Sequence, residues 1–573
     1  MDAGDILLRR RLVDEGQLEQ LRRSGAEGAA SLIEKAVERG FVDEEAALAA
    51  VGAEVGLEYV DLATTPVDLS LLKSFPTRLI HRQALFPIRR ENGQLVVATS
   101  DPFDLYPIDE VSAATGLSVV PVLSPRREID RLVKMHLGVG SETIDGLMQV
   151  TDDLELLSGM EAEASELSDQ AHEASVVKLV NEILLEAIET RASDVHIEPQ
   201  ANGLSVRYRV DGLLLPQAMP PEIARFESAI ISRLKIMSRL NIAEKRLPQD
   251  GRMRLKVSGR EIDVRVSVIP MIHGEGICLR ILDKGSMSFE LRKLGMEAET
   301  YATFHELIQL PHGIILVTGP TGSGKTTTLY SALIEINTPD VKIITTEDPV
   351  EYQLPGINQI QVHAKIGLTF GHSLRSILRH DPDVVLIGEI RDLETAENAI
   401  QASLTGHLVF STLHTNDAAG AYTRLVDMGV EPFLVASTVE AVMAQRLVRR
   451  LCPECRREYQ PIHDDLPDDF PFDRLRGPLF QPVGCRKCRQ IGFAGRFGIY
   501  ELLVTDERIR QLAHDRANTW DLKRAGVEAG MQTLRDDGWR KVIRGDTAMD
   551  EVLRVTKGDR TMTVARPVKA SAG

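Results

Sequence analysis

The chain has 573 residues, of which 43% are hydrophobic, 26% charged and 5% aromatic, and its formal net charge is −17. Its length exceeds what one hydrophobic core usually serves, which predicts several domains. The acidic balance argues against nucleic acid as a partner, because phosphate contacts need clustered Lys and Arg. No stretch reaches the roughly 20 apolar residues that span a bilayer, and the start lacks an apolar signal core, so we expect a cytoplasmic protein.

Residues 1–140 are predicted to form an N-terminal α/β module. Up to about residue 62, apolar positions recur every three or four residues, a pattern typical of helices. From residue 66 to 137, helical patterns flank strand-like runs around the hairpin signal Glu91-Asn92-Gly93. Residues 141–175 carry ten Asp or Glu residues and no Lys or Arg. This predicts an acidic linker, with an exposed acidic helix as the alternative for part of it.

Residues 176–284 are predicted to form an α+β domain. A helical pattern precedes short alternating strands that are typical of an antiparallel sheet, with Ser258-Gly259 as a tight hairpin turn. Cys278 lies in one of these strands and is predicted to be a core residue. Arginines occupy alternating strand positions: Arg207, Arg209, Arg252, Arg254, Arg265 and Arg280.

Residues 285–450 alternate strand, loop and helix, which predicts a parallel sheet flanked by helices. Residues 451–492 form a Cys-bearing, Pro-rich insertion. Residues 493–573 are predicted to be a helical segment that ends in a loose tail.

The stretch GPTGSGKTTT matches G-x-x-x-x-G-K-[ST], with an apolar strand before it and a helix after it. Its glycines let backbone N–H groups turn toward phosphate oxygens, while Lys325 reaches the β and γ phosphates and Thr326 ligates Mg²⁺. ATP and Mg²⁺ are therefore the predicted cofactors. The predicted nucleotide-binding residues are Gly319, Pro320, Thr321, Gly322, Ser323, Gly324, Lys325, Thr326 and Thr327.

Acidic residues follow two further predicted strands. Glu389 ends the run DVVLIGE and can hold the Mg²⁺ shell directly or through water. The run TTEDPVEY delivers Glu347, Asp348 and Glu351 to the carboxyl edge of the sheet, where one of them orients or deprotonates the attacking water. The alternative is that the carboxylates of this loop have only a structural role.

His407 and His414 flank one apolar strand, and we expect them beside the phosphate site as sensors of the γ phosphate, with a structural role as the alternative.

Two Cys-x-x-Cys pairs, separated by 29 residues, account for four of the five cysteines. In a cytosolic chain this arrangement favours metal over a disulfide and matches a structural tetracysteine Zn²⁺ site. Free or redox-active thiols are the alternative. The predicted ligands are Cys452, Cys455, Cys485 and Cys488.

In their order and flanks, these motifs resemble the secretion-superfamily ATPases, the hexameric motors of type II secretion or of type IV pilus assembly. The resemblance covers residues 176–557 and is carried by RASDVHIEP, PQDGR, GPTGSGKTTT, ITTEDPVEY, LRHDPDVVLIGEIRDLETA, TGHLVFSTLHTNDA, AQRL, CPEC and CRKC. It implies a RecA-like P-loop NTPase core, a PAS-like N-terminal α+β domain, a tetracysteine zinc insertion and an additional N-terminal α/β module.

The resemblance also implies roles for individual residues. Glu351 is the first choice for the water-activating carboxylate, supported by Glu347 and Asp348. Glu389 holds Mg²⁺, and the two histidines link nucleotide state to shape. In such homo-hexamers, residues 176–284 correspond to a second N-terminal domain, and arginines of this domain neutralise charge on the phosphates. The candidates are Arg252, Arg265 and Arg280, with surface arginines as the alternative.

The resemblance favours a type II secretion motor that powers pseudopilus assembly and protein export. The alternatives are a type IV pilus assembly ATPase, a DNA-translocating or conjugation ATPase, and a nucleotide-dependent regulatory or scaffolding module. The implied partners are a cytoplasmic domain of an inner-membrane platform protein and a polytopic platform protein, which place the chain peripherally at the bacterial inner membrane. A cyclic dinucleotide is not expected, because LLRRRLVDEGQLEQL and LIEKAVERGFVDEEAAL lack an intact R-L-G.

Overall fold

The computed structural model describes residues 3–23, 29–73, 75, 79–80, 84–104, 106–141, 143–144, 163–257, 259–283 and 289–556. Two compact units divide the chain, Met1–Gly285 and Ser286–Gly573. None of the helices in the described residues is long and apolar enough to cross a membrane.

Four short helices begin the first unit and bury one small apolar cluster that includes Leu7, Leu21 and Val51. Asp43 caps the fourth helix, because its carboxylate accepts two backbone N–H groups of the first turn. The predicted helical start is confirmed. The helices are α1 (Ala3–Arg9), α2 (Glu15–Arg23), α3 (Ala29–Glu38) and α4 (Glu44–Val55).

A three-stranded sheet follows, with two helices beside it. Its first strand pairs antiparallel with the second, which pairs parallel with the third. Asn92 and Gly93 have φ of 49° and 78°, the left-handed backbone that a two-residue hairpin turn requires. This confirms the predicted hairpin. The elements are β1 (Phe86–Glu91), β2 (Gln94–Thr99), α5 (Tyr106–Thr115), β3 (Val119–Leu123) and α6 (Arg126–Leu137).

Helix α7 (Glu163–Glu189) begins inside the segment predicted as a linker. Residues 163–175 are therefore helical, as the alternative for this segment proposed, whereas residues 145–162 lie outside the described residues. From Val176 onward the helix buries apolar side chains. Once that packed part has formed a helix, each further turn adds hydrogen bonds without a new nucleation cost.

Six antiparallel strands complete the first unit, in the order β6-β5-β4-β9-β8-β7. One face of this sheet packs with α7 and α8 into a single apolar core. Cys278 is half-buried and lies on the other face, opposite the buried Ile277 and Leu279, so its prediction as a core residue is wrong. The elements are β4 (Ala192–Gln200), β5 (Gly203–Val210), β6 (Leu213–Pro216), α8 (Glu227–Met237), β7 (Gln249–Val257), β8 (Arg260–Met271) and β9 (Gly274–Asp283).

The second unit contains a seven-stranded sheet in the order β12-β11-β13-β14-β10-β15-β18, parallel except for its last pair. Neighbouring residues of the inner strand β10 enter two different apolar clusters, Ile314 in one and Ile315 in the other. Both faces are therefore covered, as expected of a parallel sheet. The strands are β10 (Gly313–Thr318), β11 (Ile343–Glu347), β12 (Asn358–Gln361), β13 (Val384–Ile387), β14 (Leu408–Leu413), β15 (Val439–Leu451), β16 (Arg457–Tyr459), β17 (Leu479–Gln481) and β18 (Phe493–Val504).

Helices connect and cover these strands. They are α9 (Ala298–Leu307), α10 (Lys325–Ile336), α11 (Phe370–Ile377), α12 (Leu393–Leu404), α13 (Ala419–Asp427), α14 (Pro432–Thr438), α15 (Glu507–His514), α16 (Thr519–Glu528), α17 (Leu534–Ile543) and α18 (Met549–Val555).

Strand β18 departs from the prediction of a helical segment over residues 493–573. It pairs antiparallel with β15 from Ala441↔Val504 to Leu451↔Phe493 and forms the last strand of the main sheet. Its side chains are buried because they pack beside β15 and against the C-terminal helices. The prediction of a helix did not take this long-range packing into account. The described chain after residue 506 is helical, as predicted.

Candidate active site

The phosphate loop joins the buried strand β10 to helix α10, as its motif predicts. Gly319 and Gly324 have φ of 149° and 90°. A Cβ at Gly319 would lie 2.6 Å from the Gln445 carbonyl oxygen, and one at Gly324 would lie 2.8 Å from the Gln445 amide nitrogen. Both positions therefore require glycine. The Ser323 hydroxyl is buried inside this loop without a hydrogen-bond partner among the described residues, which fits a loop shaped around a ligand's oxygen atoms.

Lys325 is the first residue of α10, and its ammonium group donates to the carbonyls of Gly319 (2.7 Å) and Pro320 (3.2 Å). Burial lowers the pKa of Lys325 to about 8, with a further decrease from Arg446 that Glu389 opposes. Neighbouring Thr326 is exposed in the first helical turn. The helix N-terminus and this cation make the loop a binding site for phosphate.

Strand β15 supports the phosphate loop from behind. The buried Gln445 accepts a hydrogen bond from the Thr328 hydroxyl on α10 at 2.8 Å. Arg446 is buried beside it and donates to the carbonyls of Gln445 (3.0 Å) and Asn416 (2.8 Å). Both Gln445 and Arg446 belong to the AQRL motif. The sequence alone does not predict a role for this motif, because a linear pattern does not show that β15 lies next to β10.

Glu389 lies two residues after β13, at the carboxyl edge that also carries the phosphate loop. Its carboxylate forms an ion pair with Arg391, and its Oε2 lies 3.4 Å from His414 Nε2. The ion pair with Glu389 raises the pKa of Arg391. Since Glu389 also acts on the pKa of Lys325, these side chains share one charged cluster.

The segment after β11 carries the other predicted acids, and they differ in exposure. Asp348 is exposed and close enough to Arg391 to affect its pKa, whereas Glu351 is half-buried. Glu347 is 4% exposed and accepts hydrogen bonds from Tyr330, Thr345 and Gln359. The structure therefore places Glu347 in a buried network, where the expected support for water activation is indirect.

The two predicted histidines lie at opposite ends of β14. His414 follows the strand at the phosphate edge. His407 precedes it, and its Nδ1 lies 2.9 Å from the Ala402 carbonyl oxygen. A six-residue strand spans about 20 Å, so the structure does not bring His407 to the phosphate loop of its own subunit. The expectation that both histidines lie beside this site is corrected.

The three predicted arginines form one row across the antiparallel sheet of the first unit. Arg252 pairs with Arg265 across β7 and β8, and Arg265 pairs with Arg280 across β8 and β9. Directly paired residues share a sheet face. The row continues through Asp194 to Arg209. Arg209 was not among the three arginines predicted to contact phosphate.

Two buried carboxylates hold members of this row. Arg252 Nε donates to Asp263 Oδ1 at 2.6 Å, and Arg280 Nε donates to Asp194 Oδ1 at 3.0 Å. These contacts orient the guanidinium groups along the face.

The four predicted cysteine ligands meet in one cluster, in which all four sulfur atoms lie within 4.8 Å of one another. Cys452 Sγ lies 3.8 Å from Cys485 Sγ, and Cys455 Sγ lies 3.7 Å from Cys488 Sγ. A tetrahedron with Zn–S bonds of about 2.3 Å has edges of about 3.8 Å. The cluster therefore fits a four-coordinate metal with no open position.

The model of the family described as type II/IV secretion system protein matches residues 169–554. The chain belongs to the type II/IV secretion system protein family. A second family model, described as the MshEN domain, matches residues 55–143 within the N-terminal module.

Individual relatives extend over nearly the whole chain. Type II secretion system protein E of Xanthomonas campestris pv. campestris is 44% identical over 96% of this chain and 98% of that protein. Type IV pilus assembly ATPase PilB of Myxococcus xanthus is 40% identical over 97% of this chain and 99% of that protein. The protein is thus an ATPase of the type II secretion kind, as its motifs predicted.

Among solved structures, the pilus retraction motor PilT with bound ADP is 28% identical, with a TM-score of 0.44 and coverage of 66% of this chain and 97% of that chain.

Proposed function

We propose that this chain is a hexameric Mg²⁺-dependent ATPase that powers pseudopilus assembly and protein export in type II secretion. The observation that carries the proposal is the 44% identity to a type II secretion protein over 96% of the chain. The site supports it, because the phosphate loop and the acidic residues expected of a hydrolysing enzyme meet at one sheet edge.

The carboxyl edge supplies the groups that ATP hydrolysis needs. The phosphate-loop N–H groups and Lys325 bind the phosphates. Thr326 and Glu389 would hold Mg²⁺, which would neutralise charge on the phosphate oxygens. Glu351 takes the proton of the attacking water. Asp348 acts beside Glu351, and His414 holds Glu389 through the 3.4 Å contact, which links the metal ligand to the end of β14. We propose no contact of His407 with the nucleotide of its own subunit.

The arginine row serves a nucleotide bound to a neighbouring subunit of the hexamer. Its support is geometric, since Arg252, Arg265 and Arg280 share one face and buried carboxylates orient two of them. A guanidinium supplied in trans is worth about 10³–10⁵ in rate, so isolated monomers turn over slowly.

The cysteine cluster holds a structural Zn²⁺ ion. Its four thiolate ligands would leave no position for substrate, so a bound Zn²⁺ would crosslink the insertion between β15 and β18 and take no part in catalysis.

The N-terminal module carries the chain to the membrane. It docks on a cytoplasmic domain of an inner-membrane platform protein, and a polytopic platform protein receives the motion of the hexamer. The chain itself works from the cytoplasmic face of the bacterial inner membrane.

Mixing of two inactive variants tests the arginine proposal. Lys325→Ala subunits keep their arginines and lose the phosphate site, whereas Arg252→Ala subunits keep the site. If arginines act across subunits, a mixture recovers ATP turnover that neither variant has alone. Arg246→Ala is the matched control, because Arg246 is exposed, pairs with Glu244 and lies off the row. A mixture as inactive as its components would contradict action in trans.

A second candidate function, pilus assembly, is favoured by the 40% identity to PilB over 97% of the chain. Deletion of the gene in its bacterial host separates the two. Loss of exported proteins from the medium, with surface pili retained, is the expected result. Loss of pili with normal export would assign the chain to pilus assembly.

A further inference from the structure

The hydroxyl of Tyr330 joins the phosphate-loop helix to the segment that carries Glu351. Tyr330 lies on α10, five residues after Lys325, and is 0% exposed. Its hydroxyl donates to Glu347 at the end of β11, and the backbone of Glu351 and Tyr352 is close enough to influence its pKa. Burial, and then the charge of Glu347, raises the pKa of Tyr330, so the hydroxyl keeps its proton. This hydroxyl thus bonds the helix to the end of the strand, immediately before the acidic segment.

Gln359 on β12 holds the same segment from the other side. Its Nε2 donates to the Glu347 carboxylate at 3.1 Å and to the Tyr352 carbonyl at 3.0 Å. Its Oε1 accepts the backbone N–H of Leu354 at 2.7 Å. The half-buried Gln359 therefore holds the backbone around Glu351, and Glu347 lies between Gln359 and the buried Tyr330.

We propose that Tyr330 is a positioning residue that keeps Glu351 in register with the phosphate loop during ATP hydrolysis. The proposal rests on the proposed role of Glu351. At about 1.5 Å of rise per residue, Tyr330 lies about 7.5 Å along α10 from Lys325. A movement of the phosphate-loop helix therefore shifts Glu347 and, through Gln359, the backbone around Glu351.

Tyr330→Phe removes this hydroxyl and keeps the ring, whose edge-on contact with Phe289 has a centroid distance of 5.7 Å. We expect kcat for ATP to fall about 10- to 100-fold, because a misplacement of about 1 Å costs rates of this order. KM for ATP stays within about twofold, since Lys325 and Thr326 are untouched. A kcat within about twofold of the unaltered protein would overturn the proposal.

Tyr422→Phe is the matched control for lost stability. Tyr422 is 1% exposed, and its hydroxyl lies 2.6 Å from the Thr505 hydroxyl, a contact at the end of β18 and outside the predicted site. Both variants lose one buried hydroxyl, so we expect similar decreases in melting temperature. Only Tyr330→Phe lowers kcat. An equal loss of kcat in both variants would assign Tyr330 a purely structural role.

Hydrogen–deuterium exchange provides a readout that does not depend on turnover. In Tyr330→Phe, amide exchange at Glu351 and Tyr352 accelerates, because the loss of the bond to Glu347 loosens the Gln359 network that holds this backbone, while exchange within α10 stays unchanged. Unchanged exchange at those two amides would overturn the proposal. Gln359→Met frees the same segment without altering α10, and we expect the same selective loss of kcat from it.

The Glu351→Gln variant separates failure of this proposal from failure of the proposed function. If Glu351 activates water, Glu351→Gln is nearly inactive, and adding Tyr330→Phe to it lowers kcat no further, because the two residues act as one unit. Activity retained by Glu351→Gln would overturn the role of Glu351 itself. Full additivity of the two substitutions would overturn only the positioning role of Tyr330.

Discussion

The phosphate edge of the main sheet and the four-cysteine cluster are built in opposite ways. The phosphate edge collects side chains that follow β10, β11, β13 and β14, all charged or polar and several exposed. The cluster takes four identical ligands from one insertion between two paired strands. A reactive site needs different groups that can be approached and moved, whereas a structural metal site needs equal ligands that close completely.

Strand β15 connects the two regions. Gln445 lies against the phosphate loop, and Leu451 ends the strand immediately before Cys452. The intervening six-residue step corresponds to about 20 Å. A substitution in one region can therefore affect the other region through this strand.

The largest expected effect comes from Lys325→Ala. We expect ATP turnover to fall by about 10²–10³-fold or more, because a cation that stabilises phosphate charge is lost from a preorganised site. Phosphate release measures it, and the metal content of the cysteine cluster stays unchanged. Lys365→Ala, at an exposed lysine of the same unit, is the control. Turnover retained by Lys325→Ala would overturn the assignment of the phosphate loop.

The next effect is loss of metal from the cysteine cluster. With Cys452→Ser and Cys455→Ser combined, elemental analysis is expected to find no zinc, and the melting temperature falls by about 5–10 °C as the insertion loses its crosslink. Cys278→Ser keeps the metal, because Cys278 lies in the first unit. Turnover falls less than in Lys325→Ala. A loss of ATP turnover as large as in Lys325→Ala would contradict a purely structural role of the cysteine cluster.

A smaller effect is the pH dependence of ATP binding. Lys325 has a pKa of about 8 in the folded protein, and bound phosphate raises it. Below pH 8 the lysine is already protonated and the Kd for ATP is constant. Above pH 8 binding must take up a proton, so Kd rises by up to about tenfold per pH unit.

Calorimetry between pH 7 and 9.5 checks this dependence. Lys325→Arg stays protonated throughout this range, so its Kd loses the dependence even if binding weakens. A flat profile in the unaltered protein would contradict the lowered pKa.

The smallest expected effect is at the contact between the phosphate-loop helix α10 and strand β15. Thr328→Val removes the hydroxyl that bonds Gln445 at 2.8 Å and leaves a buried amide oxygen unsatisfied. The free energy of unfolding falls by about 1–3 kcal/mol, and turnover changes by less than about threefold. Chemical denaturation and phosphate release measure the two. A turnover loss near that of Lys325→Ala would indicate that β15 controls the phosphate loop.

Local patterns predicted the elements well wherever the chemistry is local. The phosphate loop, the Asn92-Gly93 hairpin and the cysteine pairs each require particular residue types at fixed spacing. The prediction failed where long-range packing decides the outcome. Residues 493–504 join the sheet as β18 because β15 supplies a partner, and His407 lies far from His414 because a strand separates them.

The site shows the same division. Tyr330, Gln445 and Arg446 escaped prediction, because a buried tyrosine or glutamine has no motif until its hydrogen-bond partners are known. Glu347 was expected to support Glu351 in water activation. The structure gives its carboxylate three donors instead.

By itself, the sequence determined the family and predicted the nucleotide site and the metal ligands, because backbone sterics and ligand identity depend on residues near each other in the chain. Only the tertiary structure decided which acids face the phosphate edge, which arginines share a face and which buried groups hold the acidic segment. Those relations depend on strand order and register, and the free energy that sets them comes from packing between segments distant in sequence.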